Sequence, residues 1–201
     1  MEKLKQNYTS PRWSMEIPDC SMPMSMDTYS RCSYNCLYCF SFFQKSHTTK
    51  GYLTGQPRSV NPEKARKIER GVPSPQERLA VIKRLADIGI HVTLRLRPFI
   101  IGCSEDYPTL IRAAKEAGAD SVTTEFFCME SRADDRLKAR YAAMSEVLGY
   151  DIHQFYMENS KQQGYKRLNR AIKAPIIHRM RELTHSLRMR FHVSDAFCRE
   201  C

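Results

Sequence analysis

The chain has 201 residues, with 32 Lys+Arg against 22 Asp+Glu and a formal net charge of +10. Its 42% hydrophobic and 27% charged residues hold apolar material for one core, which excludes a wholly disordered chain. No run approaches the roughly 18–20 apolar residues of a membrane span, and the opening MEKLKQNYTSPRW lacks the apolar stretch of a secretory signal, so a cytoplasmic protein without a membrane partner is expected.

Residues 1–21 are polar, punctuated by Pro11 and Pro18, and read as an N-terminal arm. Met22–Thr28 is a short strand candidate, with Pro23 tolerated only near its start. A cysteine-rich segment follows at 32–39. Residues 44–62 mix Gly51, Gly55, Pro57 and Pro62 with hydroxyl and amide side chains and read as a connector. Asn61 can cap a short helix with Pro62 at its first position and Glu63 in its first turn, stopped by Gly71.

The next signal is clearer. Ser74-Pro75-Gln76-Glu77 sets a capping hydroxyl, a first-turn proline and a reciprocal carboxylate at capping-box spacing. Leu79, Ile82, Leu85 and Ile88 then form one apolar stripe, and Gly89 can end the helix. His91–Phe99 is expected as a strand, with Val92, Leu94 and Leu96 on one face and Thr93, Arg95 and Arg97 on the other. The pattern recurs: a helix from about Glu105 to Ala117 with Gly118 as its stop, then a strand at Ser121–Phe127.

A further helix is expected from about Ala133 to Leu148, ending at Gly149, and Ile152–Met157 is a strand candidate, weakened by Gln154 and the polar segment after it. Asn159 to Asn169 carries no assignable pattern. Pro175 is expected to open a helix through Ile176, Met180, Leu183 and Leu187, and Met189–Val193 returns to a strand pattern. Helices and strands in alternation favour parallel βαβ units. The inventory reaches at most five strands, and none is assigned between Phe43 and Pro73. An incomplete, six-stranded or open parallel sheet is therefore expected over 22–195, with a cysteine-containing tail at 196–201.

Eight cysteines occur: Cys20, Cys32, Cys36, Cys39, Cys103, Cys128, Cys198 and Cys201. Three of them crowd into Cys32-Ser33-Tyr34-Asn35-Cys36-Leu37-Tyr38-Cys39, which suits a reduced compartment and a metal better than a disulfide framework. Three thiolates on one loop can hold three irons of a [4Fe–4S] cube and leave the fourth open to a small ligand such as S-adenosylmethionine. The alternative is zinc, completed by Cys20, a histidine or another thiol. Structural zinc is more often held by paired Cys-x2-Cys hooks, so the open cluster is favoured.

The CSYNCLYC segment resembles the Cys-x3-Cys-x2-Cys motif of the radical S-adenosylmethionine superfamily, with Tyr38 where that family commonly has an aromatic beside the last cysteine. The resemblance extends to LRLRPFIIG at 94–102, where Arg95, Arg97 and Pro98 are similar to the spore photoproduct lyase-like branch. It implies a partial parallel (β/α) barrel of the radical S-adenosylmethionine type, shortened or incomplete. It also implies cluster ligation by Cys32, Cys36 and Cys39, and S-adenosylmethionine across the strand ends with Tyr38 beside it. An electron donor, protein or chemical, is then needed. The Gly-Gly-Glu-like segment common in the superfamily does not occur. The interval from the cysteine loop to Ser74 is too short for two ordinary βα units.

Arg95 and Arg97 share one strand face, where paired guanidinium groups can grip a cofactor carboxylate or anionic substrate, or can form ion pairs with other elements. Glu125 shares parity with Thr123 near the end of the next strand; it can meet the cofactor's amino group or ribose, or pair with Arg95 or Arg97. His192 and Ser194 share parity on the last strand, where a histidine is more often a packing residue. Cys128, at a strand end, is the candidate catalytic hydrogen-atom donor. Cys198 and Cys201, joined by Cys20, Cys103 or Cys128, are the candidate ligands of a second iron–sulfur cluster; two plain thiols are the simpler reading. Tyr34, Phe40, Phe42 and Phe43 would shield the cluster loop. The basic stretch 161–173, with Tyr165 for stacking, suits nucleic acid or merely water. The leading expectation is a radical enzyme acting on an unknown substrate, for which nucleic acid and nucleotides are compatible. A noncatalytic iron–sulfur redox or nucleic-acid-binding protein is the alternative.

Overall fold

Two parallel crossovers organise the chain. The structure, a computed structural model, describes residues 12–13, 24–25, 37, 62–69, 72–130, 133, 135–160 and 165–193. In chain order these give β1 (Arg12–Trp13), β2 (Met24–Ser25), α1 (Pro62–Ile68), α2 (Pro75–Asp87), β3 (Thr93–Phe99), α3 (Tyr107–Glu116) and β4 (Ser121–Phe126). There follow β5 (Cys128–Glu130), α4 (Asp135–Leu148), α5 (Ile152–Glu158), β6 (Tyr165–Arg167), α6 (Arg170–Ser186) and β7 (Arg190–Val193). Among the described residues the largest sheet is parallel and three-stranded, ordered β3-β4-β7. The fold is thus mixed α/β, and no closed barrel forms among these residues.

The capping box at Ser74 forms as the sequence predicts: the Glu77 amide donates to Ser74 Oγ at 3.2 Å, and the Glu77 carboxylate accepts from the Ser74 amide at 2.7 Å. α2 ends just before Gly89, whose φ of +82° is the left-handed value that closes a helix. Gly118 has a tighter reason to be glycine. Its φ is +99°, and an added Cβ would stand 2.5 Å from Ala86 Cβ at the end of α2. That close approach brings the carboxyl ends of α2 and α3 together.

Register fixes which residues share a sheet face. Thr93 pairs with Ser121 and Ser121 with Arg190; Arg95 pairs with Thr123 and Thr123 with His192. The opposite face presents Leu94, Leu96 and Val122, all buried, beside Thr124, whose hydroxyl donates to the Leu96 carbonyl at 3.1 Å. Ile82 of α2, Leu110, Ile111 and Ala114 of α3, and Ile177 and Met180 of α6 complete that core. Each Leu, Ile, Val or Met among them contributes about 1.5–3 kcal/mol relative to exposure. The apolar positions therefore set the helices against one face and leave Thr93, Arg95, Arg97, Thr123, Glu125 and His192 on the other.

Three expectations need correction. Residues 152–157 are helical: Asp151 caps α5 by accepting the Gln154 amide at 2.9 Å, and Ile152 and Tyr156, four apart, are its buried pair. That cap and helical spacing decide against the expected strand. Pro175 does not open the last helix. α6 starts five residues earlier, with Asn169 accepting the Ile172 amide at 3.2 Å, and Pro175 lies on its exposed side. Finally, β5 and β6 form an antiparallel pair, Cys128 opposite Arg167 and Glu130 opposite Tyr165, in a region whose polar residues carry no strand signal. β2 falls inside the expected Met22–Thr28 strand and pairs with β1, so Arg12–Trp13 of the expected arm is strand. The remaining boundaries agree within two residues, α3 starting at Tyr107 rather than Glu105.

Candidate functional site

At the carboxyl end of the sheet, Arg97 of β3 and Glu125 of β4 form an ion pair across adjacent strands through Nη2 and Oε2. Their side chains are 19% and 25% exposed, so the pair is partly desolvated yet still within reach of water. Arg95, one pleat nearer the amino end, is exposed on the same face, as is His192 of β7. The shared faces expected of Arg95 with Arg97 and of Glu125 with Thr123 are formed. Of the alternatives weighed for Glu125, the pairing with Arg97 is formed, and His192 is not a packing residue.

Just beyond β4 the chain turns into a tight aromatic layer. The Phe127 amide donates to the Phe99 carbonyl at 2.9 Å, joining the ends of β3 and β4. The Phe127 ring meets Tyr156 edge-on at 5.6 Å and Tyr141 at 6.4 Å. Tyr156 is buried and donates its hydroxyl to the Phe127 carbonyl at 2.8 Å. Burial, with a smaller push from neighbouring Cys128, Tyr150 and Tyr141, holds its phenol well above the ordinary value, so it stays a donor. Cys128 itself is half-buried, and its thiol donates to the Phe126 carbonyl at 3.6 Å. It therefore stands at the strand end expected of it, beside a protonated phenol.

Leu37 links this end of the sheet to the cysteine segment. It lies between Cys36 and Cys39 in sequence, is 5% exposed, and belongs to the main core. Both its backbone polar groups are satisfied by the folded body. The Leu37 amide donates to the carbonyl of Ile68, the last residue of α1, at 3.0 Å, and its carbonyl accepts from Arg140 Nε of α4 at 3.2 Å. The next residue of α4, Tyr141, accepts the Glu130 amide of β5 at 3.0 Å while its ring packs on Phe127. One turn of α4 therefore touches both Leu37 and the carboxyl end of the sheet.

No family model, curated protein or solved structure matches the chain. Its function must be argued from its own residues.

Cys32, Cys36, Cys39, Tyr34, Tyr38, Phe40, Phe42 and Phe43 lie outside the described residues, as do Cys20, Ser194, Cys198 and Cys201. Cys103 is buried, and no group of three His, Cys, Asp or Glu side chains gathers as a metal site among the described residues. No described helix is long and apolar enough to cross a membrane. Sequence reasoning missed Arg140 and the Tyr141–Phe127–Tyr156 layer. Arg140 lies three residues from Leu137 and beside Tyr141, so it borders the apolar stripe of α4. That position was the available hint, since a cation there reaches inward over the seam.

Proposed function

We propose that the protein is a radical S-adenosylmethionine enzyme built on a shortened parallel (β/α) barrel, with Cys32, Cys36 and Cys39 as ligands of a [4Fe–4S] cluster. The observation that carries this reading is the anchoring of Leu37: the helix that holds this residue of the three-thiol motif also meets Phe127 and Glu130, just beyond the strand that bears Glu125. Ligands of parallel α/β folds collect at that end of the strands. The donor set fits the group, because three soft thiolates suit iron–sulfur ligation and leave one iron without a protein ligand. When bound, such a cluster supplies the electron that cleaves the sulfonium and yields a 5′-deoxyadenosyl radical.

The chain's own residues then have distinct work. Arg97 can hold a carboxylate by exchanging Glu125 for it, and Glu125, once released, can accept hydrogen bonds from an amino group or a ribose. Arg95 offers a second cation on the same face, and Tyr38 belongs beside the cofactor by resemblance. The aromatic layer of Phe127, Tyr141 and Tyr156 excludes water beneath Cys128, the candidate hydrogen-atom donor.

Anaerobic reconstitution should yield about four irons per chain at this motif. The paramagnetic signal of the reduced cluster should change on adding S-adenosylmethionine, and reduction should release 5′-deoxyadenosine. Cys36→Ala should lose both iron and cleavage. Retention of both by that variant would reject the assigned ligand.

A second reading concerns the partner. Residues 161–190 hold nine Lys or Arg against the single acid Glu182, so eight of the chain's ten net charges lie in thirty residues. Arg170, Arg179, Arg188 and Arg190 are exposed. Such a concentration favours a polyanion, and a nucleic-acid substrate is the form that joins both readings. If instead the cluster is noncatalytic, salt-sensitive nucleic-acid binding would persist without any cofactor cleavage.

A further inference from the structure

Arg140 is a half-buried cation on α4 whose Nε points its hydrogen bond at a main-chain oxygen, that of Leu37, 3.2 Å away and 103 residues earlier in sequence. The amide of the same residue is held by the Ile68 carbonyl at 3.0 Å. Leu37 is thereby fixed at its side chain, by burial in the core, and at the polar group on each side of its Cα. A short loop held at both backbone polar groups of one residue has little freedom to rotate there. Cys36 precedes that residue directly, and Cys39 follows two positions after it. Adjacent Cα atoms are about 3.8 Å apart whatever the loop does, so an anchor at Leu37 limits the ground these thiols can cover.

We propose that Arg140 is a positioning residue for the three-thiol motif: with the Ile68 carbonyl it clamps the peptide of Leu37, the residue joined directly to Cys36 and two positions before Cys39. The clamp rests on described residues alone; its consequence for a cluster rests on the reading above. The guanidinium suits the task, because its planar fork can donate from Nε to the loop carbonyl and retains further N–H donors for other groups on the seam. The arrangement also explains why a helix away from the motif in sequence carries an inward cation beside Tyr141.

Two measurements test the clamp separately from the chemistry. In the metal-free full-length protein, alkylation of Cys36 and Cys39 by iodoacetamide, read by peptide mass spectrometry, should be roughly tenfold faster or more in Arg140→Met, as loss of one charge-assisted hydrogen bond implies. Buried Cys103 should be unaffected. In reconstituted protein, release of iron to a chelator should accelerate by a similar factor, and the paramagnetic signal should broaden. Arg140→Lys, which keeps a donor on a long stem, should recover part of both effects. Lys138→Met, removing an exposed cation of the same helix, should change neither.

Unchanged alkylation and iron release in Arg140→Met would overturn the clamp while leaving cluster binding intact. If the native chain takes up no iron but alkylation still accelerates, the clamp stands and the radical-enzyme reading falls. Equal acceleration at Cys103 would mean general loosening of the fold and would also overturn the assignment.

Discussion

The two ends of the parallel sheet are each tied by an arginine–carboxylate contact, yet they differ in almost everything else. At the amino end, Asp120 meets Arg190 at 3.3 Å, accepts Ser121 Oγ at 2.9 Å and pairs with His91, and both His91 and Arg190 are exposed. At the carboxyl end, Arg97 and Glu125 are partly withdrawn from water, and the chain past β4 adds a buried phenol that bonds Phe127 and a thiol that bonds Phe126. The same pair chemistry is a solvated brace at one end and part of a partly enclosed polar site at the other. Burial, rather than the presence of opposite charges, separates them.

The most severe way to break this contrast is to remove Glu69, just beyond α1. Its carboxylate accepts from Arg78 Nη2 at 2.8 Å, and the two side chains are only 2% and 5% exposed. Glu69→Gln leaves the guanidinium without its counter-charge and should lower the unfolding free energy by about 3–5 kcal/mol. Urea denaturation checks this. The double variant Glu69→Leu with Arg78→Met should recover most of the loss, since the cost lies in the unmatched charge. A Glu69→Gln variant as stable as the native chain would mean that burial does not set the weight of these pairs.

Gly118→Ala should come next, at about 1–3 kcal/mol, because φ is unsuited to a side chain and the new methyl would collide with Ala86. This defect lies between α2 and α3, so it should lower the melting temperature without altering the thiol reactivity of Cys36 and Cys39. Arg97→Met should be milder for stability, about 1–2 kcal/mol, since Glu125 keeps some access to water. Its effect on 5′-deoxyadenosine release should be larger, roughly a hundredfold. A small fall in both release and stability would make this end a solvated brace like the other.

Much of this contrast was legible in the sequence. The alternation Val92, Leu94, Leu96 against Arg95, Arg97 fixes both faces of β3, and a one-residue slip would bury the arginines, so the register admits no other solution. The capping box at Ser74 marks its helix because two reciprocal hydrogen bonds need those residue types at that spacing. What stayed hidden depends on contacts distant in sequence. Nothing near Arg140 announces Leu37, and nothing near Glu69 distinguishes it from the exposed Glu63 of the same segment. The strand misreading at 152–157 has a local cause: six residues are too few for 2-fold and 3.6-fold periods to separate, and the Asp151 cap decides between them.

The smallest effect tests the solvated end. Burial tends to raise the Asp120 carboxyl, but hydrogen bonds from His91, Ser121 and Arg190 together outweigh it and hold the group below the usual aspartate value. A carboxyl depressed in the folded state binds fewer protons than in the unfolded chain over the interval between the two values. Its stabilising contribution is therefore complete above the unfolded value, about pH 4, and drains away as the pH falls through the folded one. Urea midpoints of native and Asp120→Asn protein should differ most at pH 6, by under about 1 kcal/mol, and converge toward pH 2.5. Raising the salt concentration at pH 6 should narrow the same gap, because the charges that hold Asp120 stand in water. A gap that closed with acid but ignored salt would place Asp120 among the buried pairs, and the two ends of the sheet would then no longer differ in kind.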